Sequence, residues 1–228
     1  IDPWFRVAKF KKQSGEIALL TTFSAHATCL SSDELKYSRD YPGQLVDSLE
    51  SLAGVDFAAF AAGAVGSHRP ESGGFGQHDR TRWLAASLTK KVKHSSILLK
   101  DNNPLEMVLF NVPLRNNHGR ITTNWRFRPW VFQWLSEDSP HYITALRIGE
   151  IVMSGTPCDF SGELIPEIQV GLQNANIHLM VTSFNGGYVN KDSWYDLKEY
   201  ETFIMNWFGP NNGQYFTYLI YNLVNIIS

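Results

Sequence analysis

The sequence predicts a mixed α/β (α+β) fold, a mixed β-sheet core with flanking helices and a site at the C-terminal ends of its strands. Three observations carry that expectation. Short β-branched and aromatic segments alternate with segments of helical apolar spacing. Four apolar segments each run directly into a loop bearing polar, reactive side chains. The composition, 43% hydrophobic and 13% aromatic over 228 residues, is that of one globular domain. A chain of this length buries roughly 70% of its unfolded surface, so the fold needs neither disulfide nor structural metal. With 20 Lys+Arg against 22 Asp+Glu, net charge −2, and basic runs only at Lys9, Lys11, Lys12 and Lys90, Lys91, Lys93, the chain lacks a nucleic-acid footprint. The longest apolar run, Phe57 to Val65, falls far short of the roughly 20 residues that cross a bilayer.

The elements follow in order. Arg6 to Phe10 and Glu16 to Ser24 read as a hairpin about the Gln13-Ser14-Gly15 turn. Leu45, Leu49 and Leu52, with Gly54 as a stop, predict a short helix over Gln44 to Ala53 after a Tyr41-Pro42-Gly43 turn. Val55 to Ala62 is nearly all apolar and predicts a buried strand, followed by a Gly, Ser and His-rich loop from Gly63 to Gln77. Asp79 is the expected cap of a helix carrying Trp83, Leu84, Leu88 and Val92. Strands are expected over Ser96 to Lys100 and Leu105 to Pro113. The aromatic stretch of Trp125, Phe127, Trp130, Phe132 and Trp134 predicts core and edge packing in preference to a lipid-binding lip. Tyr142 to Ile148 and Glu150 to Ser154 read as a strand pair around Gly149, Gly162 to Asn174 as a helix, and Ile177 to Phe184 as a strand. Phe216, Leu219, Ile220, Leu223, Ile226 and Ile227 have the spacing of an amphipathic helix packed on the sheet.

The reactive side chains stand just past apolar strands: His26, then Ser67 and His68, then Asp159, then Tyr188. Strand ends on one edge of a sheet converge, so these side chains are candidates for one crevice. Histidine, carboxylate and phenol form a nitrogen and oxygen ligand set suited to Zn²⁺, which activates water for hydrolysis. No HExxH, HxH or CxxC pair supports the metal by spacing, and His26 with Cys29 forms only an isolated HxxC. Ser67 lies beside His68, outside any G-x-S-x-G elbow, which disfavours a metal-free serine esterase. Cys29 and Cys158 leave one bridge open.

Taken in order, these segments resemble the catalytic domain of the neutral ceramidase family, zinc amidases that cleave the N-acyl bond of ceramide. IDPWFRVAKFKKQSGEIALLTTFSAHATCL resembles the family segment whose second strand ends in a metal-binding His, here His26. LKYSRDYPGQLVDSLE resembles the family's S-x-D-x-x-G turn, with Ser38, Asp40 and Gly43 at the motif positions. FAAFAAGAVGSHRP resembles the strand and loop that the family writes G-D-V-S-P; the ungapped register puts Ser67 at its Asp and Arg69 at its Ser. IGEIVMSGTPCDFSGEL resembles the strand ending in P-G-E-F, with Asp159 in place of a zinc-ligating Glu. NGGYVNKDSWYDLKEYETF resembles the stretch with a ligand Tyr and a later carbonyl-polarising Tyr, matching Tyr188 and Tyr200.

The resemblance implies a zinc-dependent hydrolase acting on the amide bond of an N-acylated, lipid-like substrate. His26, Asp159 and Tyr188 are its implied metal ligands; Tyr200, Arg69 and Ser67 are its catalytic candidates, Arg69 pairing with an anionic substrate group. It also implies sphingolipid chemistry, peripheral membrane contact and an extracytoplasmic setting. The family's upstream H-T-H type motif and its immunoglobulin-like C-terminal domain have no counterpart. The Ile1-Asp2-Pro3 opening therefore predicts residues 1–228 to be one ceramidase-like domain, the C-terminal part of a larger one, partnered by an upstream fragment of the same precursor. The alternative is a non-catalytic module that binds a lipid or glycan on the same cleft and the Trp125 to Trp134 stretch.

Overall fold

Two apolar segments joined by a turn that requires a left-handed residue make a hairpin. β1 (Arg6–Lys11) and β2 (Ile17–Phe23) pair antiparallel with Phe10 opposite Ala18, and Gly15 takes φ +106° in the turn. The chain, described by this computed structural model over residues 2–71, 73–100, 104–117, 119–135, 141–172, 176–184 and 186–228, divides into two compact units. The first comprises Pro3–Ala62 and His68–Asp101; the second comprises Ile1–Asp2, Gly63–Ser67 and Asn102–Ser228.

In the first unit, β2 leads through α1 (Asp40–Glu50) to β3 (Phe57–Ala62), which lies parallel to β2 in the order β1-β2-β3. Parallel strands need such a crossover, and the helix supplies it. The helix begins at Asp40, so the predicted Tyr41-Pro42-Gly43 turn is its first turn, where proline is tolerated because the N–H groups there have no helical partner. α2 (Gln77–Lys93) packs on α1, and Gly76 takes the N-cap position expected of Asp79, which sits in the first turn. Leu19, Tyr41, Leu45, Leu49, Ala58, Leu84 and Leu88 form the core. Tyr41 is fully buried, donates from its hydroxyl to the Ala25 carbonyl at 2.5 Å and meets the Phe60 ring edge-on at 5.7 Å. β3 is less buried than its composition predicts: Ala58 is covered, but Phe57 is exposed because the strand ends the sheet order. Ser96 to Lys100, expected as a strand, forms none, and no described strand pairs with it.

The second unit is built on a four-stranded sheet of order β4-β5-β6-β8. β4 (Leu105–Asn111) precedes a two-turn helix, α3 (Pro129–Leu135), and pairs antiparallel with β5 (Tyr142–Ile148). β6 (Ile151–Gly155) returns antiparallel to β5 around Gly149, whose φ is +63°. The two-residue β7 (Asp159–Phe160) and α4 (Ile165–Gly171) then lead to β8 (His178–Thr182), parallel to β6. β9 (Tyr188–Val189), α5 (Asp192–Asp196), α6 (Tyr200–Phe203) and α7 (Asn212–Ile226) complete the unit. α7 covers β5, β6 and α4 with Phe216, Ile220, Leu223 and Val224, its predicted apolar stripe. The Asn174 end of the predicted α4 lies outside the described residues.

The aromatic stretch departs from the expected core packing. Trp125, Trp130 and Trp134 are 73%, 67% and 81% exposed. A helix as short as α3, apolar but for Gln133, buries at most one stripe; the Phe132 side chain lies outside the described residues. Cys29 and Cys158 are buried free thiols, so the possible bridge is absent. No described helix is long and apolar enough to cross a membrane.

Candidate functional site

Both units repeat one device, a pair of parallel strands whose C-terminal ends lie side by side. In the first unit the pair is β2 and β3, with Phe23 opposite Ala62. His26 follows β2, and its backbone N–H donates to the His68 carbonyl at 2.9 Å. The imidazole is half-buried, and desolvation holds its pKa below the ordinary histidine value. It is therefore neutral at physiological pH and keeps the lone pair a metal ligand needs. Arg69, next in the chain after His68, is exposed.

In the second unit the pair is β6 and β8, with Gly155 opposite Thr182. The chain does not pass directly into loops here. A second parallel pair, β7 and β9, puts Asp159 opposite Tyr188. Adjacent strands lie about 4.8 Å apart and register partners face the same side, so carboxyl and phenol stand together. The Asp159 N–H donates to the Gly187 carbonyl at 3.2 Å, the Ser161 N–H to Val189 at 2.9 Å and the Tyr188 N–H to Met205 at 3.1 Å. Gly187 is tied to that last contact, because a Cβ there would come within 3.0 Å of the Met205 oxygen.

Gly63–Ser67 also belongs to this unit and packs on β7. Val65 bridges Ser161, and the Gly66 N–H donates to the Phe160 carbonyl at 2.9 Å. The approach is so close that a Cβ at Gly66 would lie 2.0 Å from the Asp159 carbonyl oxygen, which is the reason this position is glycine. Ser67 Oγ is 2.6 Å from Ser161 Oγ, a hydroxyl pair that by itself supplies no general base.

Asp159 is buried, Tyr188 half-buried and Tyr200 exposed. α6 packs on β9, burying Thr202 and Phe203 and leaving Tyr200 and Glu201 outside. The Tyr188 phenol is raised above the ordinary tyrosine range, first by burial and then by Asp159, Glu201 and Tyr200. That electrostatic coupling places all four groups in one neighbourhood. The same negative field that disfavours a phenolate favours a cation or a proton donor. Asp159, Tyr188, Tyr200 and Ser67 thus belong to the second unit, His26 and Arg69 to the first. Glu201 was not anticipated; its one sequence signal is adjacency to Tyr200 in YETF.

Two oxygen donors, Asp159 and Tyr188, therefore meet, whereas no group of three His, Cys, Asp or Glu among the described residues is arranged to hold a metal ion. Carboxylate and phenol oxygens are donor types that zinc accepts.

No protein-family model and no curated protein matches the chain. Solved structures do. The chain is similar to the neutral ceramidase from Pseudomonas aeruginosa, with TM-score 0.68 and 18% identity over 95% of this chain and 45% of that one. It is also similar to a ceramidase complexed with C2, with TM-score 0.70 and 17% identity over 95% of this chain and 46% of that one. The chain thus spans less than half the length of these structures while having a ceramidase-like fold along nearly all of its own.

Proposed function

We propose that this chain is a ceramidase-like hydrolase that cleaves the amide bond of an N-acylated, lipid-like substrate, with His26, Asp159 and Tyr188 as zinc ligands. The pairing of Asp159 with Tyr188 carries the reading. A carboxylate and a phenol held side by side present two oxygen donors to a cation or a substrate. Zinc, when bound, supplies a Lewis acid and lowers the pKa of water.

The side chains do the rest. Asp159 is held by β7 and β9, which compensates for a side chain one methylene shorter than glutamate. Tyr200, exposed beside Tyr188, donates its hydroxyl to the substrate carbonyl oxygen as negative charge develops there. Arg69 is open to solvent and pairs with an anionic group of the substrate. Ser67 is a positioning residue that ties Gly63–Ser67 to Ser161 and so to β7. An extracytoplasmic setting accompanies this reading.

Fatty-acid release from a short-chain N-acylsphingosine by the zinc-loaded protein tests the reading. Turnover is expected, and Tyr200→Phe should lower kcat by about 10²-fold with little change in KM, as for loss of an oxyanion donor. No release by the zinc-loaded wild type overturns it. The exposed Trp125, Trp130 and Trp134 favour a second reading, a lipid- or glycan-binding module in peripheral contact with membranes. Saturable vesicle binding without turnover would select it.

A further inference from the structure

An edge strand leaves a row of backbone N–H and C=O groups open to a further strand. Among the described residues, the edges of the two larger sheets are β1, β3, β4 and β8. Three of these are guarded. β1 carries Arg6, Lys9 and Lys11, β3 exposes only Phe57, and Leu179, Met180 and Val181 of β8 are buried. β4 has none of these defences. Its sequence, LEMVLFN, contains neither lysine nor proline, it pairs one-to-one with β5 without a bulge, and every residue but Val108 is exposed.

The side chains of β4 extend the opening from the edge onto a face. Leu105, Met107 and Leu109 share one face and are 73%, 64% and 59% exposed, while Val108 on the other packs on the core of this unit. Register carries the open face inward: Met107 lies beside Leu146, then Met153, then Met180, and exposure along that row falls to 3% at Met180. The apolar row thus runs out to an open edge. A bilayer does not suit it, because unpaired backbone groups are not accommodated among acyl chains. A strand does, since it meets the backbone groups and the side-chain row together.

We propose that a second copy of this chain covers the edge, β4 pairing antiparallel with β4 of the other copy about a two-fold axis at Val108. That register pairs all seven residues of the strand. It sets Met107 of one copy against Leu109 of the other, Leu105 against Asn111 and Glu106 against Phe110, each twice, and forms about six to eight backbone hydrogen bonds. The strand is compatible with itself in charge as well. Glu106, its single charged residue, meets no like charge across the axis and already stands opposite Arg147 of β5. Because β8 is covered at the far end of the sheet, the contact closes on a dimer.

Sedimentation velocity of the whole protein from about 1 to 100 μM tests it. A monomer–dimer equilibrium is expected, with no larger species. Met107→Lys/Leu109→Lys alters two exposed positions and opposes like charges at two pairs; it should weaken the dimer at least about tenfold while leaving the circular dichroism unchanged. Met107→Lys/Leu109→Glu removes the same apolar area but sets an ammonium against a carboxylate at both pairs, so it should dimerise about tenfold more tightly than the double-lysine variant. Phe57→Ser, which alters the exposed aromatic of β3, should leave the equilibrium unchanged. The proposal is overturned if the wild type stays monomeric at the highest concentration, which would leave the edge to a different chain, if the double-lysine variant dimerises like the wild type, or if the two double variants are equally weakened. Loss of the dimer in Phe57→Ser alone would place the contact on β3 and overturn it equally.

Discussion

The two units set parallel strands side by side in the same way and differ in how the chain continues past the strand ends. Each sets two parallel strands side by side and sends a reactive residue out past their ends: His26 after β2 in the first, Asp159 and Tyr188 after β6 and β8 in the second. In the first unit the exit is a loop, held by hydrogen bonds from the His26 N–H to the His68 carbonyl, from the Thr28 N–H to the His26 carbonyl and from the Tyr41 hydroxyl to the Ala25 carbonyl. In the second, the chain re-pairs into β7 and β9 before continuing, with Gly63–Ser67 laid over β7. Re-pairing fixes the spacing of two polar side chains far more tightly than a loop does, which is what a ligand or substrate site needs.

Substitutions break the comparison in a definite order. Tyr41→Ala should cost the most, about 3–5 kcal/mol, because it empties the first unit's core and leaves the Ala25 carbonyl without its donor; chemical denaturation measures it. Tyr188→Phe, by contrast, should change stability by no more than about 1 kcal/mol while removing a donor from the site. Gly66→Ala comes next. Its Cβ would collide with the Asp159 carbonyl, so a loss of about 1–3 kcal/mol and displacement of β7 are expected. Gly54→Ala in the first unit meets no atom within 4 Å and carries only the conformational penalty of φ +79°, about 1 kcal/mol.

The pH dependence comes third. Burial, helped by Asp40, pushes the Cys29 thiol from 9.0 up to about 12. The folded chain therefore keeps a proton that the unfolded chain gives up. This stabilisation is complete below pH 9.0 and is lost as pH rises towards about 12. Cys29→Ala should flatten that alkaline decline in urea titrations. Smallest is Trp130→Ala, expected to move stability by less than about 0.5 kcal/mol because the ring is exposed. If the lipid-binding reading holds, the same variant weakens vesicle binding.

The legibility of the fold follows the same division. β1, β2, β5, β6 and α7 were readable because each is long enough to show its period, and Leu45 and Leu49 announced α1 although Pro42 masked its first turn. β7 and β9 were not, since two residues have no period; register pairing, a tertiary property, creates them. Asp159 and Tyr188 were singled out through family resemblance and position after strands, while their adjacency, which the structure shows, was invisible. Glu201 carried no motif. The exposed tryptophans were misread because aromatic content predicts burial only where an opposing apolar surface exists.

The central claim is that Asp159 and Tyr188 help hold zinc, and metal content per chain tests it most directly. Protein purified without chelators or added metal should carry about one zinc in the wild type. Asp159→Ala should carry essentially none while keeping the wild-type circular dichroism. Equal zinc in wild type and Asp159→Ala, or a wild type that neither carries nor takes up zinc, would contradict the account.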